Sequence, residues 1–208
     1  MGCNLYYVHD PMCSWCWAFR PVYEQIVSAL PANVTLTTLL GGLAVDSDEP
    51  MPEAMSSFLQ ATWLKIMERV PGTEFNFDFW TQCRPRRATY PACRAVIAAR
   101  QQGIKYESAM IKAIQQAYYL RAMNPSDDVT LVKLANELGL DARQFSDALN
   151  ALGTQRELER EIELGRSIGA EGFPSLILEC DGKYHRLHYS YLDPAPLLAQ
   201  LSRLTGCD

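Results

Sequence analysis

Apolar and polar positions change their rhythm twice along this chain. Asn4 to His9 (NLYYVH) is a short run of β-formers that Asp10-Pro11 ends. From Cys13 the apolar residues Trp17, Val22, Ile26, Val27 and Leu30 recur on one face of a helix. Pro31 closes that helix, and Pro21 inside it predicts a kink. Val34 to Leu40 (VTLTTLL) reads as a second strand, stopped by Gly41-Gly42. A β-α-β opening of this length implies a parallel pair with a right-handed crossover.

The middle of the chain is helical almost throughout. Periodicity predicts helices over Pro52–Arg69, Tyr90–Gln102, Tyr106–Leu120, Thr130–Leu138, Ala142–Leu149 and Thr154–Ile168. Pro71-Gly72, Arg84-Pro85, Gly103, Asn124-Pro125, Gly139, Gly153 and Gly169 separate or flank them, and Ser126-Asp127-Asp128 reads as a capping cluster. Phe75, Phe77, Phe79 and Trp80 read as core, with a substrate groove as the alternative. Strand character returns at Pro174 to Cys180. Asp181-Gly182 signals a tight hairpin into Lys183–Ser190, and a last helix runs from an Asp193 cap to about Leu204.

Bulk properties narrow the function classes. Of 208 residues, 48% are hydrophobic and 21% charged, a soluble globular profile. The net charge of −5 argues against nucleic-acid or anionic-membrane binding. The one basic run, Arg84-Pro85-Arg86-Arg87, reads as a solvated turn, with an anion contact as the alternative. MGCNLYYVHD lacks the basic and apolar regions of an export signal, and no run of 18 apolar residues exists, so a cytoplasmic protein is expected. In that compartment Cys3, Cys83, Cys93, Cys180 and Cys207 are expected to be thiols, as small hydrophobes or surface groups.

The chemistry is concentrated in DPMCSWCWAF (residues 10 to 19). A CxxC pair can bind metal, form a structural crosslink or exchange electrons. Zinc needs four ligands, and His185 and His188, three apart on a predicted strand, point to opposite faces, so no metal site is expected. Redox exchange is the reading the surroundings favour. Cys13 sits where a strand becomes a helix, and the helix N-terminus favours a thiolate by roughly 0.3–2 kcal/mol. Backbone N–H groups and the Cys16 thiol supply further hydrogen bonds. Cys13 is then the nucleophile, and Cys16, one turn on, resolves the mixed disulfide. Trp15 is read as an exposed aromatic that contacts substrate, Trp17 as core, and Asp10 as a strand-end turn residue. Pro174 cannot donate to a ladder and so belongs at the start of its strand.

CxxC after a first strand, a helical insertion, and Gly172-Phe173-Pro174 before a hairpin together resemble the DsbA-like branch of the thioredoxin superfamily. The cytosolic FrnE-like group of predicted disulfide isomerases is the most similar. DPMCSWCWAF, GGL (41–43), TYPACRAVIAAR (89–100), AIQQAYYL (113–120) and GFPSLIL (172–178) carry the resemblance. It implies an α/β, thioredoxin-like fold with a large all-helical domain inserted between its βαβ and ββα halves. The divisions are 1–48 and 170–208 for the core and 49–169 for the insertion. It also implies a cis Pro174 lying against Cys13, and a Phe173 backbone that pairs with a bound peptide or glutathione. The expected activity is thiol–disulfide exchange or isomerisation on protein or glutathione disulfides. No cofactor is required beyond glutathione as a co-substrate and a recycling reductant or oxidant. The alternatives are a kappa-class-like glutathione transferase or small-molecule isomerase, weakened because such relatives have a serine nucleophile, and a binding module without turnover.

Overall fold

The computed structural model describes residues 2–206, so Cys207 lies outside the described residues. A four-stranded sheet, in the order β2-β1-β3-β4, contains β1 (Cys3–His9), β2 (Val34–Leu40), β3 (Ser175–Cys180) and β4 (Lys183–Arg186). β1 and β2 are parallel, as the connection through α1 (Ser14–Ser28) requires, whereas β3 is antiparallel to both β1 and β4. Asp181 and Gly182 both adopt positive φ, 52° and 73°, the two-residue turn that Asp-Gly favours. β4 stops at Arg186, shorter than its sequence pattern suggests.

Alternation along β1 assigns the two faces of the sheet. Leu5 and Tyr7 point to one face, where Phe19, Val22 and Ile26 of α1 and Leu197 and Leu201 of α9 (Ala195–Thr205) cover them. Val8 points to the other, where it meets Leu39, Ile177 and Ile168. α8 (Leu152–Ser167) approaches that face closely: a Cβ on Gly165 would lie 3.1 Å from Val8. Glu161 of α8, nearly fully buried, accepts a hydrogen bond from the Leu40 amide at 2.8 Å and another from Arg100. The helix that ends the helical stretch is therefore also the cover of the sheet.

Between β2 and α8 lie α2 (Glu53–Arg69), α3 (Phe79–Gln82), α4 (Tyr90–Gln101), α5 (Lys105–Leu120), α6 (Asp128–Glu137) and α7 (Ala142–Leu149). They enclose a second core. α4 is buried over Pro91–Ala99, and Trp63 of α2 gathers Phe75, Phe77, Phe79, Trp80, Tyr118 and Tyr119 with ring centroids 4.8–6.1 Å away. Of the residue 75–80 aromatics, Phe79 is core, whereas Phe75, Phe77 and Trp80 are partly buried and pack against that core. α3 escaped the sequence reading because a single turn carries no periodicity. Asp127 does not cap α6 with its side chain; it pairs with Asn124 and Arg86 instead.

Two buried features were not foreseen. Cys3 and Cys180 are not thiols: the register that sets Asn4 opposite Glu179 sets them opposite each other, and they form a disulfide across β1 and β3. His9 is fully buried with neither ring nitrogen hydrogen-bonded, stacked on Tyr7 at 4.8 Å. Burial, with the Arg20 charge, lowers its pKa from 6.5 to about 3. Between those values the unfolded chain binds a proton that the folded one refuses. The proton-linked cost of His9 is therefore absent above pH 6.5 and grows as pH falls towards 3. The raised Asp10 carboxyl acts oppositely in the acid range, so a variant must separate them. His9→Phe should gain stability over wild type by on the order of a few kcal/mol at pH 4, and by much less at pH 8. Urea unfolding at the two pH values measures the difference; an equal shift at both would contradict the assignment.

Candidate functional site

Cys13 is the residue immediately before α1, in extended conformation, and Trp17 N–H donates to its carbonyl to open the helix. Cys13 is 7% exposed, whereas Cys16, one turn inside, is fully buried. This asymmetry separates their chemistry. Burial pushes the Cys16 thiol well up, and its hydrogen bond to the Cys13 sulfur, the charge there and the Asp10 carboxylate push the same way. Cys16 therefore stays protonated, while Cys13, at the groove, is the less buried of the two.

The turn that positions Cys13 hangs on Asp10. This side chain is fully buried, and its two oxygens accept from Met12 N–H at 2.8 Å, Leu43 N–H at 2.7 Å, Thr89 O–H at 2.6 Å and the Cys93 thiol at 3.6 Å. Burial still raises its pKa against the pull of those donors. The insertion adds a second hold: Tyr119 O–H donates to the Met12 carbonyl at 2.6 Å, and its ring stacks on Trp17. Trp17 also donates to the Glu74 carbonyl at 3.1 Å and is half-buried, so it is a joint between the two parts rather than core alone.

The second motif closes over the first. Phe173-Pro174 is joined by a cis peptide bond, and the Phe173 carbonyl accepts from the Cys13 sulfur at 3.6 Å. The Phe173 ring lies against the backbone of Gly41, where a Cβ would sit 2.0 Å from it. The adjoining Gly42, at φ +60°, leaves no room beside Ile162 and Tyr90. A groove of about 430 Å³ opens beside Cys13, with Trp15 and Phe173 at its edge and Phe58, Thr62 and Lys65 of α2 opposite. Trp15 is half-buried rather than free, with its ring 5.1 Å from that of Tyr191.

Of the five residues singled out from sequence, Cys13, Trp15 and Phe173 line the groove, while Cys16 lies one turn behind Cys13 and Pro174 follows Phe173 without lining it. Sequence reasoning missed Tyr118, Tyr119 and Leu43, and read Arg87 only as part of a solvated basic turn with an anion contact as the alternative. The first three sit in AIQQAYYL and GGL, which marked the family without disclosing that they hold or line the site. Among the described residues no group of three or more His, Cys, Asp or Glu is arranged to hold a metal, and no helix is long and apolar enough to cross a membrane.

A model of the DSBA-like thioredoxin domain matches residues 5–189. The chain belongs to that family. Among solved structures, a candidate protein disulfide isomerase from Nitrosomonas europaea superposes with a TM-score of 0.85 at 25% identity, over 99% of this chain and 98% of that one. The cytosolic disulfide reductase DsbM from Pseudomonas aeruginosa gives 0.79 at 24%, over 99% and 100%. A second DsbM structure, with glutathione, gives 0.76 at 22%, over 98% and 99%. At those identities the DsbM matches speak for the fold. The ClpXP adapter protein SpxH of Bacillus subtilis is 22% identical over 174 residues, 83% of this chain and 57% of that protein. The chain thus spans a little over half the length of the curated relatives it matches. In this chain the helices α2 to α8 lie between strands β2 and β3 of the sheet.

If Asp10 organises the site, its removal strands the Met12 and Leu43 amides without an acceptor and leaves the Thr89 hydroxyl only its longer bond to the Ala44 carbonyl. Asp10→Ala should cost about 2–4 kcal/mol in urea unfolding, and Asp10→Asn less, since one oxygen remains. A loss under about 1 kcal/mol for Asp10→Ala would show that the clamp is not structural.

Proposed function

We propose that this protein is a cytoplasmic thiol–disulfide oxidoreductase with Cys13 as nucleophile, Cys16 as resolving thiol, and Trp15, Phe173 and Pro174 as the groove that receives the substrate. The observation that carries the reading is the pairing of Cys13, slightly exposed at a helix N-terminus, with the Phe173 carbonyl 3.6 Å from its sulfur, and a buried second thiol one turn behind. Residues 1–48 and 170–208 supply the dithiol and the proline loop, and residues 49–169 the opposite wall.

The exchange balances as follows. The Cys13 thiolate attacks one sulfur of a substrate disulfide, whose S–S bond breaks and whose other half leaves as a thiolate. Cys16 then loses its proton and attacks the Cys13 sulfur, releasing the second half. The substrate gains two electrons and the protein is left with a Cys13–Cys16 disulfide, which glutathione or another dithiol reduces. The Phe173 backbone, at the start of β3, can pair with an extended substrate during attack. A reducing compartment keeps such a pair mostly reduced, which favours reduction or isomerisation over net oxidation. DsbM, named as a cytosolic disulfide reductase and also solved with glutathione, agrees with this direction.

The SpxH relatives, named as adapters, support a second reading: a binding module in which the thiols do not turn over. A single-thiol glutathione transferase is the third. Cys16→Ser distinguishes them when a model disulfide is supplied and adducts are followed by mass spectrometry. Dithiol exchange predicts that a mixed disulfide accumulates on Cys13 and that turnover stops, whereas Cys13→Ser forms no adduct. Retained turnover in Cys16→Ser would support the transferase, and no adduct in either variant, with partner affinity unchanged, the binding module.

A further inference from the structure

The groove beside Cys13 has a charge pattern that the rest of the molecule does not share. The protein carries a net charge of −5, yet the groove is lined by two cations, Lys65 and Arg87, and by no aspartate or glutamate. Asp10, fully buried, is not among its lining groups.

Arg87 is unusual in a second way. Among the described residues, the arginines short of full exposure are Arg20, Arg86, Arg87, Arg94 and Arg100. Four of them have carboxylate partners: Glu24, Asp127, Asp46 and Glu161 respectively. Arg87 has none. Its neighbour Arg86 faces away, paired with Asp127 and bonded to the Ser126 carbonyl, while Arg84 is exposed. The basic run thus divides into a solvated residue, a structural ion pair and one half-buried arginine that lines the thiol groove. Partial burial without a counter-charge costs free energy that a bound anion recovers, and a guanidinium fork fits a carboxylate with two parallel hydrogen bonds.

We propose that Arg87, assisted by Lys65, is the carboxylate subsite of this groove, so that the disulfides handled best are small and acidic, with a free carboxylate near the sulfur, rather than unfolded protein chains. This rests on the dithiol reading above. The groove volume, about 430 Å³, suits a peptide of a few residues. Lys65, exposed on α2, adds charge that draws anions in without fixing their geometry.

The test measures single-turnover oxidation of the reduced protein by three disulfides: oxidised glutathione, which is acidic; hydroxyethyl disulfide, which is neutral; and cystamine, which is cationic. Arg87→Gln should slow the reaction with oxidised glutathione about tenfold, the effect of losing a charge-assisted hydrogen bond. It should leave hydroxyethyl disulfide within about twofold and not slow cystamine. Arg87→Lys should recover part of the loss, and added salt should weaken only the acidic reaction. Lys65→Gln, an exposed change that does not disturb folding, should shift the same preference by about two- to threefold. Equal slowing of all three disulfides by Arg87→Gln, or no change in their ratio with either variant, overturns the assignment. Binding of S-methylglutathione, which cannot exchange, separates this failure from that of the dithiol reading. If wild-type protein reduces no disulfide but binds this probe about tenfold more tightly than Arg87→Gln does, the subsite stands and the oxidoreductase falls. If the two bind it equally, the subsite falls.

Discussion

One buried carboxylate organises the molecule. Asp10 stands at the end of β1, and its oxygens hold the amide of Met12, the amide of Leu43, and the hydroxyl of Thr89 at the head of α4. Three stretches far apart in sequence, DPMC, GGL and TYPAC, are thereby drawn to one point. A buried carboxylate is tolerable only if its lone pairs are met by donors, so the geometry of all three is specified together. The sheet and the helical domain cannot shift relative to each other at this point without leaving polar atoms unsatisfied in a dry interior. Glu161 performs a similar task at the neighbouring end of β2, bonding the Leu40 amide and Arg100.

The site's chemistry follows from that fixed turn. Cys13 sits just outside the first turn of α1, and Cys16 faces inward, where burial keeps its proton on. The two thiols differ by environment, not by kind. On the other side Phe173 presses against a glycine that could not carry a side chain, and this sets its carbonyl beside the Cys13 sulfur. The helical insertion contributes from above: Tyr119 holds the Met12 carbonyl, and α2 forms the facing wall of the groove. Both halves of the interrupted sheet and the insertion are therefore needed to complete one groove.

Much of this was legible in the sequence, for local reasons. Helix and strand positions follow from periodicity and from glycines that take positive φ where helices stop, as at Gly103, Gly139 and Gly169. The Cys13–Cys16 pair and the Phe173-Pro174 turn announce themselves by residue type. Long-range facts were not legible. The Cys3–Cys180 disulfide joins residues 177 apart, and nothing local encodes the register of β1 against β3. Asp10 reads locally as a turn residue, which it is; its three further donors come from elsewhere in the chain. Arg84-Pro85-Arg86-Arg87 reads as a uniform basic turn, because direction of side chains along an irregular loop has no period. α8 continues the helical rhythm of the insertion, and only its contacts with Val8 and Leu40 disclose that it covers the sheet.

The central claim is that Cys13 and Cys16 form a reversible two-electron couple. Equilibration of the protein in graded mixtures of reduced and oxidised glutathione, followed by alkylation and peptide mapping, tests it without reference to any substrate. The account predicts that Cys13 and Cys16 lose reactivity together, at one potential, with a slope of about 30 mV per tenfold change in the ratio of the two forms, while the Cys3–Cys180 disulfide follows its own separate transition. Cys13 and Cys16 remaining alkylatable at every ratio, or Cys13 alone being capped by glutathione with no internal disulfide, would contradict it.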